Sequence, residues 1–335
     1  MGNLGMSRMA TLPANKRLQI TSGRFNRPLA ERIAGHLGVE LLEPNTANFA
    51  NGEIHCKFEE SIRGGDLFII QTHCNSDVGS LNDALMEQLI MVDAAKRASA
   101  KRITVVMPFY GYARQDRKSS GREPITARLV ANLFEAAGAK RLLSVDLHSG
   151  QIQGFFNGPV DHLTAMPVLV DYLQRFGEDL VIVSPDTGRV KVAARYANAL
   201  HAGLAFVYKQ RRKEEKNSVE ALALVGEVEG KTCVLIDDMI DTAGTMVAAA
   251  EQLTRAGAAR VFAAATHAVL SGPAIERLNN SVIEKVVVTD TLPLTADKQI
   301  DKIEQLSVAG IIGDAIRAVF EDSSVSEIFD GQNQS

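Results

Sequence analysis

A chain of 335 residues, 46% hydrophobic and 23% charged, is long enough for two cored domains and does not have a disordered composition. Lys+Arg 36 against Asp+Glu 40 leaves a net charge of -4, a near balance that argues against a nucleic-acid-binding protein but permits a local cluster of donors for a small phosphorylated ligand. No apolar stretch reaches the roughly 18 residues of a membrane span, and three cysteines without a CxxC pair (Cys56, Cys74 and Cys233) read as structural thiols in a reducing cytosol.

Residues 1–16 are Met-rich and polar and read as a terminal extension. Beyond them, short β-branched runs alternate with longer amphipathic segments. Expected strands cover Leu18–Ser22, Leu67–Gln71, Ile103–Pro108 and Arg141–Asp146, then Val181–Ser184, Ala205–Tyr208, Thr232–Ile236, Val261–Ala265 and Lys285–Val288. Thr126–Ala137 reads as a helix with Leu129, Val130, Leu133, Phe134 and Ala137 on one face and Gly138 as its C-terminal cap. The alternation predicts an α/β class, with mainly parallel sheets flanked by helices. So many strands point to two sheets and two domains, divided near Asn157–His162, which reads as a loop. No repeat relates the halves. In such sheets ligands sit beyond the carboxyl ends of the strands, so the residues just after each strand are the ones to inspect.

The strongest such segment follows Thr232–Ile236. It reads Asp237-Asp238-Met239-Ile240-Asp241-Thr242-Ala243-Gly244-Thr245 and opens an Ala- and Leu-rich helix. A small-residue loop at a helix start presents backbone N–H groups and a positive dipole end to an anion. Thr242 and Thr245 add hydroxyls, and Gly244 allows close approach. Asp237 and Asp238 are out of place beside a phosphate alone, but they suit a ligand that also carries a diol, because carboxylates accept from sugar hydroxyls. A sugar phosphate satisfies both halves of the loop. The bland alternative is a capped helix start with two solvated carboxylates.

This segment resembles the phosphoribosyl-diphosphate-binding signature shared by phosphoribosyltransferases and ribose-phosphate diphosphokinases. Further segments, in order from Leu18 to Phe329, resemble the diphosphokinase family. Phe49-Ala50-Asn51-Gly52-Glu53 resembles its adenine-binding hairpin, although the same letters also spell an ordinary Asn-Gly turn. The loop Pro108–Arg117, containing Arg114 and Gln115, resembles its ATP-contacting loop. Asp146–Phe156 resembles the segment at the ATP phosphates, and Ser184-Pro185-Asp186 a metal-binding turn. Tyr208–Asn217 reads by itself as a solvated mixed-charge loop or a basic patch; its Lys209 and Arg211 match the Lys-x-Arg pattern of the family's catalytic loop.

The resemblance implies two phosphoribosyltransferase-like domains. Residues 17–160 would bind ATP, 161–312 would bind ribose 5-phosphate, 313–330 would pack back on the first domain, and 331–335 would form a tail. It implies transfer of the β,γ-diphosphate of ATP to the C1 hydroxyl of ribose 5-phosphate, with Lys209 and Arg211 catalytic and Mg²⁺ held by His148 and Asp186. Phe49, Asn51, Glu53, Arg114, Gln115 and His148 would contact ATP. Asp237, Asp238, Asp241, Thr242, Ala243, Gly244 and Thr245 would hold ribose 5-phosphate. It further implies a cytoplasmic homo-oligomer, a hexamer with sites shared between subunits, and an allosteric site at Ser61, Arg63, Arg122, Ser324 and Ser326. Two departures stand out. Arg189 occupies the second position of the family's Gly-Gly pair, and the loop from Lys209 to Asn217 is about two residues longer than the pattern. A silent regulatory homologue and a phosphoribosyltransferase are the competing readings. The second gives no reason for the Phe49, Arg114 and His148 segments.

Overall fold

The computed structural model describes residues 17–177, 179–210 and 221–329. The first half runs β1 (Leu18–Ser22), α1 (Arg27–Leu37), β2 (Leu41–Leu42), β3 (Pro44–Asn48), β4 (Ile54–Phe58), β5 (Asp66–Ile70), α2 (Leu81–Arg97), β6 (Arg102–Met107), α3 (Thr126–Ala137), β7 (Arg141–Val145) and β8 (Val160–Leu163). Then come α4 (Met166–Leu173), β9 (Leu180–Ser184), α5 (Val190–Leu200), β10 (Gly203–Gln210), β11 (Ala221–Val225), β12 (Thr232–Ile240), α6 (Gly244–Arg255), β13 (Arg260–Ala268), α7 (Ala274–Asn279), β14 (Val286–Thr289), β15 (Ile303–Leu306) and α8 (Ala309–Phe320).

One sheet has the order β2-β1-β5-β6-β7-β8 and is parallel throughout. The other has the order β11-β10-β9-β12-β13-β14-β15 and is parallel except where β10 meets β11. β3 and β4 form a separate hairpin. In both sheets the order reverses beside an early strand, giving β2-β1-β5 and β10-β9-β12. Each reversal opens a crevice at the carboxyl ends, so the halves share an architecture without sharing a sequence.

The strand period of two divides the core. In β12, Cys233 and Leu235 enter one cluster while Val234 and Ile236 enter another. In β6, Ile103, Val105 and Met107 part from Val106 in the same way. Burial on both faces is why these strands read as continuous apolar runs. The cluster holding Val234 and Ile236 is common to both halves, joining Phe68 and Leu143 of the first sheet to Ile182 and Phe262 of the second. Helix α8 contributes Ile312, Ile316 and Val319 to it and packs on α1.

The first sheet's crevice is filled by the chain itself. Asn26 Nδ2 donates to the Asp290 carbonyl at 2.8 Å, and Thr72 Oγ1 donates to the Thr291 carbonyl at 2.9 Å. The turn after β14 thus occupies the space between β1 and β5, while a cavity of about 830 Å³ lined by His73, Cys74, Phe109 and Leu292 stays open beyond β5 and β6, and the second sheet's crevice, between β9 and β12, is open as well.

Two expectations need correction. Asn157–His162 is not wholly a loop, because Val160–Leu163 is the edge strand β8, paired in parallel with β7. Asp161 interrupts the apolar pattern but is held by Arg141 at 2.7 Å, so an edge position tolerates it. In α3 the buried stripe is Ala127, Val130, Ala131 and Phe134, while Leu129 and Leu133 are 53% and 41% exposed. The bounds of α3 and the Gly138 cap (φ 127°) are as expected. Among the described residues no helix is long and apolar enough to cross a membrane.

Candidate active site

The second sheet's crevice is built by the turns after β9 and β12. β12 continues four residues beyond the expected Ile236, with Asp237 opposite Ala265 and Met239 opposite His267 in β13. Asp237 and Asp238 therefore sit on a rigid strand. The chain turns at Ala243 (φ 60°), the residue preceding α6. A left-handed conformation disfavours any branched side chain there. The first-turn N–H groups of α6 have no intrahelical acceptors and face the loop that precedes them.

Strand β7 delivers His148. Asp146 leaves the strand at φ 38°, an unfavourable angle for a non-glycine residue. Its carboxylate accepts from the Ala165 amide at 2.9 Å and from Thr266 Oγ1 at 2.6 Å, so the segment before α4 and strand β13 hold the bend. His148 Nδ1 then lies 2.7 Å from Asp238 Oδ2. Arg189 brings Nη2 to 2.5 Å from the same oxygen and Nε to 3.5 Å from Asp237. Nη2 is also 2.8 Å from His148 Nδ1. One nitrogen cannot both donate to Asp238 and accept from Arg189. The ionised carboxylate favours the tautomer in which Nδ1–H donates, so the approach of Arg189 to the ring is a consequence of the shared oxygen. The lone pair then falls on Nε2, to which no described residue is hydrogen-bonded.

Electrostatics separates the two carboxyls. Burial, reinforced by Asp238 next door, pushes Asp237 up to about 8. Burial also opposes ionisation of Asp238, but the His148 hydrogen bond and the Arg189 charge outweigh it and hold Asp238 at about 2. Near neutral pH the pair, titrating as a unit, holds about one negative charge.

Three cavities of about 550, 210 and 380 Å³ adjoin at His148 and Arg189, which line all of them. The middle one is the signature-loop cavity, lined by Asp237, Asp238 and Asp241–Thr245 with Arg114 at its edge. Arg114 Nη1 donates to Asp241 Oδ2 at 2.6 Å, so the loop after β6 meets the loop after β12. Asp186 lines this cavity and the third one, which also holds Asp116, Arg117, Ser149 and Gln151. The buried Asp116 accepts from Ser149 Oγ and from Gln151 Nε2, pinning the segment after His148. Gln115 accepts from Thr126 Oγ1 at 2.5 Å.

The structure thus brings together Arg114, His148, Asp186, Asp237, Asp238, Asp241, Thr242, Ala243, Gly244 and Thr245, with Gln115 one residue from Arg114 in the chain. Phe49, Asn51 and Glu53 lie elsewhere, on the β3–β4 hairpin. Phe49 is 57% exposed, Gly52 turns at φ 92°, and Asn51 Oδ1 accepts from the Glu53 amide. Lys209 lies in β10; Arg211 and the longer loop fall outside the described residues. Ser61 and Arg63 precede β5 and Ser324 and Ser326 follow α8, while Arg122 precedes α3. None of the five lines the three cavities. Sequence reasoning gave no role to Asp116, Ser271 or Arg277. Ser271 Oγ donates to Asp241 Oδ1, and Arg277 donates to the Thr242 carbonyl. The Ser-Gly-Pro turn after β13, at a strand's carboxyl end, was the available signal.

A fold of two mainly parallel sheets, with a small-residue loop opening a helix at the strand-order reversal and facing arginine and histidine from the other half, is that of a two-domain α/β enzyme. The family model described as the N-terminal domain of ribose phosphate pyrophosphokinase matches residues 18–138, and that of the phosphoribosyl synthetase-associated domain matches 218–330. Ribose-phosphate pyrophosphokinase of Streptomyces avermitilis is 53% identical over 319 residues, covering 95% of this chain and 97% of that one. The Bifidobacterium longum protein of that name is 52% identical over 321 residues, 94% and 93% of the two chains. The crystal structure of phosphoribosylpyrophosphate synthetase from Mycobacterium smegmatis is 50% identical with a TM-score of 0.86, covering 92% of this chain and 100% of that one. The chain belongs to the ribose-phosphate pyrophosphokinase family and is a diphosphotransferase.

Proposed function

We propose that the protein transfers the β,γ-diphosphate of ATP to the C1 hydroxyl of ribose 5-phosphate, giving 5-phosphoribosyl 1-diphosphate and AMP. The observation that carries this reading is the Arg114–Asp241 ion pair, which joins a loop of the first half to the signature loop of the second. Two anionic substrates held on either side of it would meet. Ribose 5-phosphate rests its phosphate on the N–H groups and hydroxyls of Asp241–Thr245. Its ring hydroxyls meet Asp237 and Asp238, which accept as carboxylates, and the proton the pair retains can be donated back. ATP lies against Arg114, Gln115 and His148, since a guanidinium fork suits phosphate oxygens.

The donor set fits a magnesium ion sparingly. The described residues hold no cluster of three or more His, Cys, Asp or Glu suited to a metal. His148 Nε2 and Asp186 would supply two ligands beside phosphates and water; the oxygens suit Mg²⁺, and the imidazole is the unusual member of the set. Bound there, it would neutralise charge on the diphosphate. The C1 hydroxyl attacks the β-phosphorus in line as its bond to the α-phosphate oxygen breaks and AMP leaves, and the cationic Lys209 and Arg211 stabilise the charge that develops on the transferring group. Phe49, Asn51 and Glu53 serve a neighbouring subunit's adenine in a cytoplasmic homohexamer. The exposed Phe49 ring, which lines none of the three cavities around His148, supports that arrangement. ADP and phosphate regulate through Ser61, Arg63, Arg122, Ser324 and Ser326.

Lys209→Ala tests the reading. We expect kcat to fall by a factor on the order of 10² or more, with both KM values within about threefold. Unchanged turnover would contradict it.

A further inference from the structure

The signature loop is held from behind. A turn at Leu270–Pro273, between β13 and α7, runs alongside it. The Leu270 amide donates to the Ile240 carbonyl and the Ser271 amide to the Asp241 carbonyl, each at 2.9 Å. Ser271 Oγ donates to Asp241 Oδ1 at 2.6 Å. Arg277, on α7, donates to the Thr242 carbonyl at 2.9 Å. Leu270 is at φ 50°, costly for a branched side chain, and such a conformation persists where surrounding bonds over-determine it.

Asp241 is therefore gripped on both carboxylate oxygens, Oδ1 by Ser271 of its own half and Oδ2 by Arg114 of the other. A carboxylate is rigid and planar, so fixing Oδ1 fixes the direction in which Oδ2 is offered. We propose that Ser271 is a positioning residue that sets Asp241, and through it both the pitch of the signature loop and the placement of Arg114, without itself touching either substrate. The proposal rests on reading Asp241–Thr245 as the ribose 5-phosphate loop.

The test compares Ser271→Ala and Ser271→Thr, varying each substrate in turn. Losing a hydrogen bond to a charged group predicts that S271A raises KM for ribose 5-phosphate by about tenfold with kcat within about threefold. S271T, which keeps the hydroxyl, returns KM to within about twofold. Thermal melting checks that both variants fold. Equal behaviour of the two variants, or a loss confined to stability, overturns the proposal. Thr245→Ala separates the two failures. If it raises KM for ribose 5-phosphate while S271A does not, only the positioning role fails. If T245A leaves that KM unchanged, the reading of the loop fails and the proposal goes with it.

Discussion

Arg189 places a guanidinium that is only 17% exposed against the acidic pair and the histidine at once. Removing it leaves Asp238 buried with one donor fewer, so the Asp238 carboxyl rises from its depressed position. Where activity needs the ionised form, the acid limb of the pH–kcat/KM profile for Arg189→Ala shifts to higher pH, with a loss of at least about tenfold below neutrality. An unshifted limb would show that Arg189 does not hold the pair. A second prediction concerns stability. His73 is fully buried, its Nε2 beside Gln88 Oε1 and its Nδ1 accepting from the Gly111 amide, and burial lowers it to about 4. The unfolded chain takes up this proton near 6.5 and the folded chain does not. Stability therefore falls as pH drops from about 6.5 to 4, by on the order of 3 kcal/mol from this group. His73→Gln should flatten that part of a melting-temperature profile. At this scale the signature loop was legible because its residues are consecutive on one strand, loop and helix. Arg114, His148 and Asp186 were visible only by resemblance, and Ser271 only as part of a turn beyond a strand, since its bond exists only because β12 and β13 end side by side.

Elements differ in legibility for a physical reason. The central strands β5, β6, β7, β9, β12, β13 and β14 are covered on both faces and stand out as apolar runs. The short edge strands β2, β8, β11 and β15 are half covered or polar, and the exposed hairpin β3–β4 alternates weakly, so none was expected as a strand. The start of α6 shows how a local conformation constrains function. Ala243 at φ 60° costs about 1 kcal/mol relative to glycine. Ala243→Gly is expected to melt at the same or a higher temperature, while Ala243→Val, whose branched Cβ suits that region least, should melt several degrees lower. The reverse order would contradict the strain assigned to this turn.

At the scale of the whole molecule the two sheets pack on one buried cluster. They share a core, and the seam is sealed by Asn26 and Thr72 reaching the Asp290–Thr291 turn. Gly313 of α8 lies where an added Cβ would meet the His36 ring of α1 at 2.6 Å, so the packing of the last helix on the first half depends on a missing side chain. Asn26→Ala leaves the Asp290 carbonyl without its donor in a buried seam, while the Thr291 carbonyl keeps Thr72, and should cost about 1–3 kcal/mol in urea unfolding. The shared core predicts a single transition; two separate transitions would mean that the halves fold independently. This arrangement also explains why one crevice is plugged and the other open, which no sequence pattern announces.

The central claim is that two anionic substrates meet at the carboxyl ends of the two sheets and exchange a diphosphate. Phosphorus NMR of the protein with ATP, Mg²⁺ and ribose 5-phosphate tests it most directly. The account predicts AMP together with a diphosphate attached to the sugar; ADP with a singly phosphorylated sugar product, or no turnover with and without inorganic phosphate, would contradict it.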